Sequence, residues 1–96
     1  MSLAGKLQKT HLKSLIIDGE VVDNSSAGTT NDIRVMFRDK DGYIFYATGI
    51  DVPVDTTAGY AKGCLFIDTD VAAATTGIYV NIGTTASCNF DAVSDA

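Results

Sequence analysis

The stretch Asp32-Ile33-Arg34-Val35-Met36-Phe37-Arg38 constrains the fold more than any other part of the chain. Apolar and charged side chains alternate there with period two, which places Ile33, Val35 and Phe37 on one face of a strand. Asp39-Lys40-Asp41-Gly42 follows with turn chemistry, and Gly42 suits a backbone position with φ > 0. Tyr43-Ile44-Phe45-Tyr46-Ala47-Thr48 is then a return strand rich in aromatic and β-branched residues, so residues 32–48 read as a β-hairpin.

The rest of the body continues in the same style. Glu20-Val21-Val22 is a short extended run, and residues 23–31 (DNSSAGTTN) form a polar loop. Ile50-Asp51-Val52 is expected to be a short strand before Pro53. Tyr60 to Asp68 is a longer strand, with Gly63 at a bulge or a close backbone contact. Thr69 to Thr76 is a connection. Ile78-Tyr79-Val80-Asn81-Ile82 alternates again, with Ile78, Val80 and Ile82 on one face. Thr84 to Phe90 reads as a last strand and Asp91 to Ala96 as a frayed tail. Nine glycines against one proline, with no tryptophan, is a strand-and-turn composition. The expectation is an all-β fold, a small antiparallel sandwich or barrel of five to six strands. At 96 residues the chain holds one domain near the lower limit of independent stability, and oligomerisation is a common remedy.

Charge divides the chain in two. Residues 1–17 contain Lys6, Lys9 and Lys13 with His11 and no acid, a charge of +3, so residues 18–96 carry −8 of the total −5. We therefore expect a basic arm, residues 1–17, attached to an acidic domain, residues 18–96. An acidic body repels nucleic acid, whose phosphates need Lys and Arg clusters. No run reaches the length of apolar residues that spans a bilayer, and Gln8 to Lys13 interrupt any secretory leader, so neither a nucleic acid nor a membrane is the expected partner. Cys64 and Cys88 are too few for a disulfide framework and lack zinc-site spacing. Two buried free thiols are expected, and the alternative is a single bridge formed later, outside the cell.

The chemistry-bearing motifs are sparse. Asp39-x-Asp41-Gly42 is half a calcium loop, but Tyr43 to Thr48 supply no closing ligand. Asp68-Thr69-Asp70 fits a turn cap in the same way. His11 is the only histidine, it has no neighbouring carboxylate in sequence, and no serine has nucleophile context. No glycine-rich phosphate loop is present. We expect no enzyme, no cofactor and no metal, with the aromatic residues serving core and interface packing.

Residues 58–90, AGYAKGCLFIDTDVAAATTGIYVNIGTTASCNF, resemble a segment that recurs in virion structural proteins of tailed bacteriophages. The likeness runs from Gly59-Tyr60-Ala61-Lys62-Gly63-Cys64 through Asp70 to Tyr79, Asn81, Gly83 and Phe90. It implies a head-decoration (cement) protein or a capsid-attached fibre, commonly trimeric. The expected role is binding to the outer capsid surface and stabilisation of the expanded shell, with the major capsid protein as partner, assembly in the host cytoplasm and final residence in the virion. The arm would make that contact through Lys6, Leu7, Lys9, His11, Leu12, Lys13 and Leu15, which offer apolar burial and charge pairing together. The alternatives are a head- or tail-fibre attachment domain, expected to continue beyond residue 96, or a carbohydrate or host-surface binding module using exposed tyrosines.

Overall fold

A computed structural model of the protein describes residues 13, 14, 16, 19–26, 29, 30, 32–71 and 77–93. Eight strands run in chain order: β1 (Glu20–Val22), β2 (Ser25–Ser26), β3 (Thr29–Thr30), β4 (Ile33–Arg38), β5 (Ile44–Gly49), β6 (Tyr60–Asp68), β7 (Ile78–Asn81) and β8 (Phe90–Ala92). Six form one open sheet in the order β1-β4-β5-β6-β7-β8, and β2 with β3 makes a separate two-stranded ribbon inside the polar loop. No helix occurs among the described residues. The all-β class holds, and the sheet is not closed into a barrel.

The hairpin forms as its alternation predicts. β4 and β5 pair antiparallel, and the Asp39 carboxylate accepts hydrogen bonds from the Asp41 and Tyr43 amides at 2.9 and 3.0 Å, fixing the turn. Gly42 takes φ 91°, a conformation that a side chain would disfavour. The expected common face of Ile33, Val35 and Phe37 is broken, however. Register shifts fall between Val35 and Phe37 and between Phe37 and Arg38, so Met36 and Phe45 are unpaired extra residues on their strands. Ile33 and Val35 are buried, while Phe37 turns to the opposite side and is 51% exposed.

Uniformly antiparallel pairing also gives way at one place. β5 and β6 run parallel, because residues 50–59 cross from one end of the sheet to the other before β6 begins. The expected Ile50-Asp51-Val52 strand is therefore absent. Val52 packs on the core instead, and Pro53 is buried. Residues 82–89 turn back over the same side, so the last strand begins only at Phe90 and runs into the expected tail. The Val93 amide continues the pairing, donating to the Ile78 carbonyl at 2.8 Å.

The core lies between the sheet and these two loops. Ile33, Ala47, Cys64 and Phe66 are fully enclosed, and Phe90 meets Tyr60 edge-on at 5.3 Å and Phe66 at 6.1 Å. Gly63, with φ 83°, sits in the irregular part of β6 between Tyr60 and Leu65 and has open space around it, so it marks a bulge. Cys64 and Cys88 are buried and unbridged.

Candidate functional site: the uncovered face of the sheet

Each residue of the likeness segment that is buried has a packing role on the loop-covered side. Asn81 is the hinge of that arrangement. Its side-chain amide donates to the Ala61 carbonyl at 2.9 Å and the Tyr60 carbonyl at 3.4 Å, and its oxygen accepts from the Gly83 and Asn89 amides, both at 2.9 Å. One side chain thus ties β6 to both ends of the 82–89 loop. Gly83 is needed beside it, since a Cβ there would collide with the Ser87 carbonyl. Lys62 donates from Nζ to the Ile82 and Gly83 carbonyls, at 3.2 and 3.3 Å, closing the loop from the surface.

The 50–59 loop has an equivalent anchor that the sequence did not signal. Asn24, buried in the polar loop, donates to the Asp51 and Val52 carbonyls and accepts from the Val54 amide, all at 3.1–3.2 Å. The two loops then join each other: the Thr56 amide donates to the Cys88 carbonyl at 2.8 Å and the Cys88 amide to the Thr57 carbonyl at 3.0 Å. Burial pushes the Cys64 thiol up to about 12 and the Tyr60 hydroxyl also to about 12. Both groups are therefore neutral at physiological pH, and a thiol held protonated is a poor nucleophile.

The opposite face of the sheet is different in kind. The register aligns Val21, Arg34, Thr48, Ile67 and Ile78 in one row across the strands, and Tyr46, Leu65, Val80 and Asp91 in the next. These are the positions that alternate with the core residues, so their side chains point away from the loops. The expected common face of Ile78, Val80 and Ile82 exists, but it is this outer one, with Ile78 45% and Ile82 53% exposed. The bulges add Phe37 and Phe45 to the surface, where Phe37 lies 5.9 Å from Phe45 and 5.7 Å from Tyr46. The two loops cover the other side, and only their first residues, Ile50 and Ile82, reach the margin of this one. A cleft of about 320 Å³ opens at one end, lined by Val21, Asp32, Arg34, Thr48, Ile50 and Thr69 among others.

Of the arm residues, Lys6, Leu7, Lys9, His11, Leu12 and Leu15 lie outside the described residues, and Lys13 is exposed. The two acidic motifs are turn caps: Asp39 holds the hairpin turn, and Asp68 accepts from the Asp70 amide at 2.8 Å. Among the described residues no group of three or more His, Cys, Asp or Glu side chains converges as a metal site would require. Comparison with protein-family models, curated proteins and solved structures finds no match to the chain.

Proposed function

We propose that the chain is a structural virion protein of a tailed phage, a homo-oligomeric decoration protein that binds the outer capsid surface and stabilises the expanded shell. The supporting observation is how its polar side chains are spent. Asn24, Asn81, Lys62, Asp39 and Asp68 all bond to the chain's own backbone, while the uncovered sheet face offers apolar side chains for contact. Such a protein acts by cohesion. It adds binding free energy to the expanded lattice alone and so shifts the shell toward that state. The resemblance of residues 58–90 to phage virion proteins implies a capsid partner, and the basic arm supplies an adhesive segment of opposite charge to the acidic body.

The test is sedimentation of the protein with expanded and unexpanded shells of the phage that encodes it. The full chain should pellet with expanded shells only. A chain lacking residues 1–17 should keep its β circular dichroism and remain in the supernatant. Equal binding to both shells, or retention of the truncated chain, would refute the reading. The half-exposed Phe37, Phe45 and Tyr43 favour a surface-binding module as second reading, and such a module would bind glycan-bearing cells in place of shells.

A further inference from the structure

We infer that the uncovered sheet face is the seat of a second copy of this chain, packed face to face across a two-fold axis. The inference goes beyond the proposed function and stands whether or not the outer partner is a capsid.

A sheet with two apolar faces needs a layer on each, and the described residues provide a layer for one. Phe37, Phe45, Ile78, Ile82, Val93 and Val21 are each 42–53% exposed. Since a large side chain buries about 150–250 Å², these six leave roughly 500 Å² in water, near the upper end for the largest patch on a monomer. The partly exposed Tyr46, Leu65, Ile67 and Val80 extend the patch toward the roughly 800 Å² that each partner contributes to a standard interface. The area fits a stable pair.

The pattern of the face is also self-complementary. Its cross-strand rows carry two charges, Arg34 on β4 and Asp91 on the edge strand β8, with apolar side chains and Thr48 between them. A copy turned about an axis parallel to the strands brings its β8 side over the β4 side of the first, so each Arg34 lies one cross-strand row from the copy's Asp91 and the opposite charges approach twice. Two open sheets stacked about 10 Å apart in this way make a sandwich from two chains. Such an interface is isologous and requires an even number of copies, in place of the three that the likeness to phage proteins implies. The two bodies bring like net charges of −8 together, so added salt should tighten the pair. Attachment through a basic arm would respond to salt in the opposite sense.

Sedimentation velocity of the full chain tests this. We expect a mass of two chains, each of 10.1 kDa, with dissociation shifted to lower protein concentration as salt is raised. The Ile78→Arg variant should sediment as one chain with unchanged far-ultraviolet circular dichroism. A single-chain mass for the unaltered protein at all concentrations, a three-chain mass, or a pair that survives Ile78→Arg would each overturn the inference. If Ile78→Arg does not fold, carbene footprinting of the unaltered protein decides. Labelling of Ile67, Ile78 and Val80 should fall at least severalfold above the dissociation concentration, and unchanged labelling would refute the pairing. Shell binding is read separately, so failure here leaves the function test intact.

Discussion

On one side of the sheet Ile33, Val35, Ala47 and Phe66 lie beneath two loops, and on the other Ile78 is exposed and Ile67 and Val80 partly exposed, with neither of those loops across them. The same strands supply both sets, residue by alternate residue, so intrinsic strand preference does not distinguish them. The difference comes from the connections. Residues 50–59 and 82–89 both cross the same side, and each is held there by a buried asparagine bonded to loop backbone. Among the described residues these two loops cover one face only. The covered face therefore carries the stability of the single chain, and the bare face is free to carry association.

Truncating one large side chain on each face separates these roles. Phe66→Ala removes a fully enclosed ring and should cost about 3–5 kcal/mol, enough to unfold much of a domain this small. Phe37→Ala should change the unfolding free energy of the isolated chain by about 1 kcal/mol or less while weakening self-association. Urea unfolding at a protein concentration low enough to keep single chains reads both. Equal losses from the two variants would show that the bare face is structural within one chain.

Asn81→Ala should come next in size. It strands the Gly83 and Asn89 amides and the Ala61 carbonyl in a partly buried setting, at a cost of about 2–4 kcal/mol. Hydrogen exchange should show where the loss falls: residues 82–89 open while the β4–β5 amides keep their protection. Uniform loss across the sheet would mean that the loop and the sheet open as one unit.

Period-two alternation made the strands legible, and Asp39-Lys40-Asp41-Gly42 and Gly63 marked the turn and the bulge where they occur. Alternation defines two faces without saying which is inside. At β7 alternation puts Ile78, Val80 and Ile82 on one face, and the structure makes that the outer face, with Tyr79 and Asn81 inward. Asn81 is tolerated there because four hydrogen bonds satisfy its amide group, a network assembled from residues up to 21 positions away in sequence. The paired bulges at Met36 and Phe45 carry no glycine to announce them, so the outward turn of Phe37 was hidden as well. The parallel β5–β6 pair depends on a ten-residue stretch, 50–59, whose path is fixed by Asn24 nearly thirty residues earlier. Local pattern does not encode contacts at that range.

The last contrast is silent at neutral pH and appears only in alkali. On the covered face Cys64 ordinarily loses its proton near 9.0 and Tyr60 near 10.0, but burial holds both to about 12. Burial also raises Cys88. The unfolded chain therefore releases protons at a pH where the folded chain keeps them. The stabilisation is fully present below about pH 9 and drains away as pH climbs toward about 12. Urea midpoints should be flat from about pH 7 to about pH 9 and fall beyond it, with thiol reagents labelling Cys64 only as unfolding sets in. In Cys64→Ala, the alkaline fall should be shallower than in the unaltered protein, even though the added cavity lowers stability at every pH. An unchanged slope in that variant would place the alkaline sensitivity elsewhere, and rapid labelling of Cys64 at neutral pH would show that the loops do not seal the covered face.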